Sequence, residues 1–182
     1  MDRANKYGFS LVEVLVVVII MGVVSTIGVS SFRQAVANSR VRDSAINVAA
    51  FLERVSMTAR ETNEVYCVVA AANSNELKAY KGSGCSGTVV ESMNLEGGVL
   101  FRSSSSLTSP NTDATTNLVG KNAYFVARIG LNSFRGSNLE QQTFEGYYLM
   151  QYSTSSTWAG VSKVPTDNRF RSHTYVGAWR NL

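Results

Sequence analysis

The sequence predicts an α+β fold, in which a long N-terminal helix packs with its second half on a C-terminal antiparallel β domain. Three observations predict this fold. Residues 9–29 form an almost unbroken apolar run, and residues 30–62 carry apolar side chains at helical spacing. From residue 64 onward the chain consists of short β-rich runs separated by Gly, Ser and Asn.

The apolar run has the length of a membrane span. Its 21 positions make a helix of about 31 Å, close to the ~30 Å hydrocarbon core of a bilayer. Val and Ile are frequent in the run, but strands are rarely this long. A single span in lipid must also satisfy its backbone amides internally, so we expect a helix.

One charged residue, Glu13, interrupts the run. An acidic residue at the centre of a span costs about 2.5–3.5 kcal/mol on insertion scales, and less near its end, so Glu13 implies a cationic partner at the same depth. The small residue Gly8 precedes the apolar run, whereas a secretory signal peptide is cut at small residues that follow it.

The apolar positions of residues 30–62 recur at steps of three and four, which predicts a helix with one buried face. These positions are Ala45, Val48, Leu52, Val55 and Ala59. Because no Pro interrupts residues 9–62, the two parts could form one continuous helix, although Gly22 and Gly28 could still loosen it.

Composition and turn residues predict eight strands in the remainder of the chain. They are residues 64–71, 76–81, 88–91, 98–102, 123–128, 144–152, 158–164 and 174–179. Residues 73–75, Asn-Ser-Asn, are predicted to form the turn between the first two strands. Residues 102–117 are rich in Ser, Thr and Asn and are predicted to form a long mobile loop.

The sequence gives little support for catalysis. His173 is the one histidine, and no nucleophile–base set or metal-ligand spacing surrounds it. We therefore expect His173 at the surface, and no enzymatic activity, metal or cofactor. Residues 82–87 match G-x-G-x-x-G, but a strand rather than a helix is expected after them, so we interpret them as a flexible loop.

The N-terminal residues Gly8-Phe9-Ser10-Leu11-Val12-Glu13 resemble the start of type IV pilins and type II secretion pseudopilins. The resemblance implies that a prepilin peptidase cuts after Gly8 and methylates Phe9 as the new N terminus. It also implies that Glu13 meets the Phe amine of a neighbouring subunit during assembly. This amine is the partner that the charge of Glu13 requires.

A second segment narrows the resemblance. Residues 57–61, Met-Thr-Ala-Arg-Glu, and the run 65–69 resemble the helix end and first strand of GspH/FimT-type minor pilins. The implied domains are a leader at 1–8, a transmembrane or filament-core helix at 9–29, its amphipathic continuation at 30–62 and a β-rich globular domain at 63–182.

The only cysteines are Cys67 and Cys85, which can form a disulfide in an oxidising compartment. Reflecting the first hairpin about Ser74 places Cys67 opposite Lys81, and the Gly-rich loop after it can return Cys85 to that point. A bridge of this length would contribute about 3 kcal/mol. FimT-like proteins often have a similar Cys pair, although the Trp-containing strand that follows theirs is missing here. The alternative is two separate thiols.

Basic and aromatic side chains alternate near the C terminus, where they are candidates for DNA binding: Lys163, Arg169, Phe170, Arg171 and Arg180. Basic groups neutralise phosphates and aromatic rings stack on bases. Some FimT-like minor pilins bind DNA through an Arg-containing C-terminal segment, which residues 169–171 resemble. The residue before them is Asn168, where a Gly is usual. The alternative is a final strand with solvated Arg side chains.

The resemblance implies a minor (pseudo)pilin held in the bacterial inner membrane by one span, with its globular domain in the periplasm. The subunit would then enter a type II secretion pseudopilus or a type IV pilus. Implied partners are the prepilin peptidase, the other (pseudo)pilins of the filament and the membrane. The alternative function is a pilus-associated receptor that binds DNA during uptake, and these residues alone do not separate the two.

Overall fold

The structure, a computed structural model, describes residues 10–104, 107–110, 116–126, 130–132, 146–153, 156–163, 169–175 and 177–182. The chain divides into two compact units, with the boundary between Val36 and Ala37. The second unit contains the β strands and the second half of the long helix.

The long helix, α1, spans Leu11–Thr62. It begins at Ser10, whose carbonyl accepts hydrogen bonds from the backbone N–H groups of Glu13 (3.0 Å) and Val14 (3.2 Å). It ends at Asn63, which has a φ of 55°, the left-handed conformation that Asn adopts more readily than most residues. The prediction of one continuous helix that ends near residue 62 is confirmed.

Eleven strands are found in the described residues. They are β1 (Tyr66–Ala70), β2 (Glu76–Lys81), β3 (Val89–Asn94), β4 (Val99–Phe101), β5 (Thr116–Asn117), β6 (Asn122–Val126), β7 (Gly130–Asn132), β8 (Gly146–Tyr152), β9 (Trp158–Lys163), β10 (Phe170–Tyr175) and β11 (Trp179–Asn181). The first sheet has the order β3-β2-β1-β6-β7, and the second has the order β11-β10-β9-β8-β4. Their neighbouring strands are antiparallel, and the short β5 adds one parallel pairing with β8.

One core joins α1 to both sheets, so the predicted α+β class is confirmed. The five predicted stripe positions of α1 are all buried, together with Val41 and Phe51. Alternate residues of the first sheet pack on this stripe, such as Val68 and Leu77, as do Met150 and Val161 of the second sheet. Because side chains alternate along a strand, each sheet presents one face to the helix and leaves the other face outward.

The predicted final strand, residues 174–179, is wrong. Thr174 and Tyr175 end β10, Gly177 has a φ of 72°, and Trp179 starts β11, so the segment is a hairpin rather than a strand. The strand before this turn is largely polar, and composition alone did not reveal it. Strands β5 and β7, of two and three residues, were also not predicted. Residues 127–128, 144–145 and 164, which belong to three other predicted strands, lie outside the described residues.

The predicted turn at residues 73–75 is confirmed, but its register differs by one residue. The backbone N–H of Ser74 donates to the carbonyl of Ala71 (3.2 Å), and Cys67 lies opposite Tyr80, not Lys81. The centre of the hairpin therefore falls between Asn73 and Ser74. A symmetric reflection about one residue cannot represent a turn whose centre lies between two residues.

The described part of the predicted loop 102–117 is packed, which the sequence reading did not anticipate. Pro110 is buried, and Leu107 packs on Tyr147 and Leu149 of the second sheet. Two apolar side chains in a polar segment are enough to attach it to an apolar sheet face.

Candidate functional site

The first half of α1 presents an apolar surface on all sides. Every large apolar side chain from Leu11 to Val24 is between 45% and 80% exposed, and Phe32 is 70% exposed. A helix that is apolar all round requires lipid or other protein around it. Among the described residues, α1 is the one helix with the length and composition of a membrane span.

Two hydroxyl groups in this half bond within the helix. Ser25 Oγ donates to the carbonyl of Met21, and Thr26 Oγ1 donates to the carbonyl of Val23, both at 2.7 Å. Such back-bonding satisfies these two groups without water, which suits a helix surrounded by lipid or apolar side chains.

Glu13 is the acidic residue in the first turn of α1, and it is exposed. Free N–H groups at a helix N terminus favour a negative charge there, so this position reduces the cost of a carboxylate in apolar surroundings. Gly8 and Phe9, the predicted cleavage and methylation positions, lie outside the described residues. Four residues separate Phe9 from Glu13 in the sequence, which is about one helical turn.

The family model of the prokaryotic N-terminal methylation motif matches residues 3–29. This motif points to a type IV pilin-like subunit. It implies processing by a prepilin peptidase and assembly with other pilins, and the apolar helix is consistent with a membrane-anchored pilin. No curated protein and no solved structure matches the chain. The motif ends at residue 29, so it describes how the N terminus of this pilin-like chain is processed, not what the β domain does.

Cys67 and Cys85 are joined by a disulfide in the structure, with their Cα atoms 5.2 Å apart. Cys67 lies buried in β1, opposite Tyr80 on β2 and Tyr124 on β6. Cys85 lies in the Gly-rich segment between β2 and β3, so the bridge attaches this segment to the centre of the first sheet. A strand, β3, follows the segment, and the arrangement that a dinucleotide fingerprint needs is not formed.

The basic residues proposed for DNA binding do not lie on one face. Lys163 is buried at the end of β9 opposite Phe170, on the face that packs toward α1. Arg180 lies opposite Thr174 on that same face, at the sheet edge, whereas Arg171 lies on the outward face because adjacent strand residues alternate. Arg169, just before β10, is exposed.

Lys163 is also electrostatically unsuited to phosphate. Burial, and to a smaller extent the positive charge of Arg60, lower the pKa of Lys163 to about 8. A buried amine with a reduced preference for its charged form is a poor ligand for a phosphate backbone. Of the five residues, Arg169 and Arg171 are the exposed basic pair that flank Phe170.

The prediction that His173 lies at the surface is wrong, since it is only 4% exposed. Its Nε2 lies 2.8 Å from Ser162 Oγ, and β11 places Asn181 opposite it. Burial and the charge of Arg171 lower the pKa of His173, while a hydrogen bond with Asn181 opposes this shift. The neutral ring therefore links three strands through polar side chains. Its partners lie on the strands before and after it, each across a connection between strands, so only strand register reveals them.

An open groove of about 510 Å³ lies between α1 and the C-terminal hairpin. Its apolar lining includes Ile46, Trp158 and Leu182, and the oppositely charged Arg42 and Asp43 lie next to each other on α1. Within the described residues there is no His, Cys, Asp and Glu group able to hold a metal.

Proposed function

We propose that this chain is a minor (pseudo)pilin of the GspH/FimT type, processed after Gly8 and assembled into a type II secretion pseudopilus or a type IV pilus. The observation that supports it most is the exposed, all-round apolar half of α1, headed by Glu13 and matched by the methylation motif. The processed N terminus would lie at Phe9, one helical turn before that carboxylate.

Assembly on this proposal moves an apolar helix from lipid into a bundle of similar helices. Both environments are apolar, so the move gains little from the hydrophobic effect, and side-chain packing and polar pairing must supply the preference. Glu13 and the amine of an incoming Phe9 are both costly when unpaired in such surroundings. Their pairing offsets both costs at only one axial stagger, which is how the charge would set subunit register.

The first experiment tests whether the leader is removed after Gly8. In a host with a prepilin peptidase, mass spectrometry should find a mature chain that starts at N-methylated Phe9. Gly8→Phe should leave the leader attached, because the peptidase needs a small residue before its cut, while Ser10→Ala should be processed normally. A wild-type chain that keeps Met1 in a peptidase-positive host contradicts the proposal.

The second experiment tests whether the charge of Glu13 is needed for assembly into filaments. Glu13→Gln keeps size and polarity without charge, and Glu13→Val makes insertion easier. Both should reach the membrane and be cleaved, yet should co-purify with sheared filaments at a small fraction of the wild-type level. Val17→Ala is the matched control, since Val17 lies one helical turn after Glu13 on the same face of α1 and the variant keeps the carboxylate. If Glu13→Val enters filaments as well as wild type, charge pairing is not the assembly mechanism of this subunit.

The alternative, a DNA receptor for uptake, has one supporting observation: the exposed pair Arg169 and Arg171 around Phe170. If these residues bind phosphates, affinity of the detergent-solubilised chain for duplex DNA should fall steeply with salt. Each lost phosphate contact reduces the slope of log K against log salt by about 0.9. Arg169→Ala with Arg171→Ala should therefore flatten the slope by roughly two contacts, and Arg180→Ala on the other face should not. Absence of binding at low salt favours the secretion role.

A further inference from the structure

A second, smaller apolar cluster lies on the outward face of the second sheet, away from α1. Tyr147 and Leu149 are its buried members, and Leu107, Trp158 and Trp179 pack against them. Three of these side chains are aromatic, and among the described residues Leu107 reaches them from a loop segment. The cluster therefore consists of a sheet surface and a segment, residues 107–110, that lies on it.

The sheet surface carries a row of aromatic rings across three strands. Tyr175 lies opposite Trp158 on β9 and opposite Trp179 on β11. The rings of Tyr175 and Trp179 meet edge to face, with centroids 5.2 Å apart. Cross-strand packing of this kind holds Trp179 in a fixed orientation, although it belongs to a three-residue edge strand.

Gly160, on β9, leaves space for a proline ring beside Trp179. A Cβ atom at Gly160 would lie 2.5 Å from Pro110 Cγ and 3.4 Å from the Trp179 ring. The ring of Pro110 thus occupies the position that any larger residue at 160 would fill. Pro110 is buried, so its ring packs closely against Gly160 and is shielded from solvent.

The indole N–H of Trp179 completes the arrangement, because Nε1 donates to the carbonyl of Thr108 at 2.9 Å. A residue before proline, here Ser109, is biased toward extended backbone. Aromatic grooves that recognise proline-containing peptides use the same combination: a pre-extended backbone and a ring seated among aromatic side chains. The segment contacts the sheet surface in three ways. Leu107 packs on its apolar side chains, the Thr108 carbonyl accepts the hydrogen bond from Trp179, and the Pro110 ring lies against Gly160.

We propose that the outward face formed by Trp179, Gly160, Tyr147 and Leu149 is a binding site for an extended segment of a partner protein with an apolar residue three positions before a proline. Residues 107–110, Leu-Thr-Ser-Pro, occupy this site in the free chain and so show the chemistry that it accepts. The side chains recognise a backbone carbonyl, a proline ring and one aliphatic group, all of which an extended peptide supplies.

The internal segment competes with any partner. A tethered segment acts at an effective concentration of about the millimolar range, so it blocks weak ligands. The apparent affinity for a partner falls by the fraction of molecules in which the site is open. Weakening the internal segment without changing the sheet surface should therefore increase partner affinity.

The experiment uses the full chain in detergent and a fluorescent peptide that contains Leu-Thr-Ser-Pro. Leu107→Ser with Pro110→Ser removes the internal competitor and keeps the receiving surface. We expect this variant to bind the peptide at least tenfold more tightly than wild type. A peptide with Ser and Ala in place of Leu and Pro is the matched control. Adding Gly160→Ala, which fills the proline position, should abolish binding.

The proposal is overturned by a folded variant with no saturable binding up to millimolar peptide, or by equal binding of the control peptide. A variant that instead dimerises and ignores the peptide assigns the surface to a second copy and overturns it too. Should the variant fail to fold, Pro110→Ala alone decides, because it weakens the internal segment and keeps Leu107. This variant should bind the Leu-Thr-Ser-Pro peptide more tightly than wild type, and equal binding by the two chains contradicts the site.

Discussion

The two halves of α1 share one backbone conformation and differ in what covers them. In the first half, Leu15 is 52% exposed and Val18 is 61% exposed, with similar values on all sides. In the second half, Val48 and Leu52 are at most 1% exposed, and the charged residues face outward. The apolar side chains of the second half are covered by the β sheets of the same chain, whereas those of the first half require lipid or neighbouring subunits to cover them.

This difference shows how one helix serves two purposes. Helix stability in the second half comes from packing of one stripe on two sheets, as in most globular proteins. The side chains of the first half do not pack into such a core. Apolar residues can therefore lie on every side of this half, which suits lipid or other helices around it. Substitutions in the two halves should therefore affect different measurements.

The largest expected effect comes from the same substitution in each half. Leu52→Ala removes a side chain that is 1% exposed and should reduce the free energy of unfolding by about 2–5 kcal/mol. Leu15→Ala should change it by less than about 0.5 kcal/mol. Denaturant unfolding of the detergent-solubilised chain, followed by tryptophan fluorescence, compares them, since both tryptophans lie in the second sheet. Equal losses would mean that the first half belongs to the folded domain.

The next effect concerns the disulfide, which lies entirely in the second unit. Cys67→Ala with Cys85→Ala opens a loop of 18 residues and should lower stability by about 3 kcal/mol. Reduction of wild type by dithiothreitol should give the same loss, and should have no effect on the double variant. Membrane insertion and leader cleavage should be unchanged. A double variant as stable as wild type would show that the bridge only positions the loop.

A smaller effect, on the pH dependence of stability, distinguishes Glu13 from Lys163, the two charged groups in apolar surroundings. The partner of Glu13 is expected outside the chain, but the cost of burying Lys163 is already present in the monomer. Burial first, and Arg60 second, lower its pKa to about 8, while an unfolded lysine titrates near 10.4. Between these values the unfolded state binds more protons, so stability should rise with pH above 8.

We expect this rise to be about 1–2 kcal/mol between pH 7.5 and 9.5, measured by denaturant unfolding. Lys163→Met should remove this rise with pH. Glu13→Gln should leave the pH profile unchanged, because its charge has no role in the folded monomer. A profile of Lys163→Met parallel to that of wild type would contradict the assignment.

The smallest effect belongs to the ion pair that connects α1 to the edge of the first sheet. Arg54 Nη2 lies 2.8 Å from Glu91 Oε1, but the two side chains are 57% and 35% exposed. Water and salt screen such a pair, so a double-mutant cycle with Arg54→Ala and Glu91→Ala should give a coupling below about 1 kcal/mol. The coupling should fall further in 0.5 M salt. A larger, salt-independent value would mean that this contact shapes the domain.

Several features follow from local sequence alone. The all-round apolar run, the stripe from Ala45 to Ala59 and the absence of proline predict α1 to its last residue, because a helix depends on neighbours three and four positions away. The methylation motif is also predicted from Glu13 and the residues before it, because a peptidase recognises consecutive residues of the chain. The first hairpin is also predicted, apart from a one-residue error in register.

Tertiary structure decided the remaining features, because they depend on the register between paired strands and on contacts with the segments that pack on them. Register places His173 against Ser162 and Asn181, buries Lys163, and divides the C-terminal basic residues between two faces. A shift of one residue in a strand moves every side chain to the opposite face, and no local pattern in a polar strand fixes that choice. The seating of Pro110 on Gly160 is likewise invisible in the sequence, where 50 residues separate them. A contact of that kind exists only after both sheets and the core have formed.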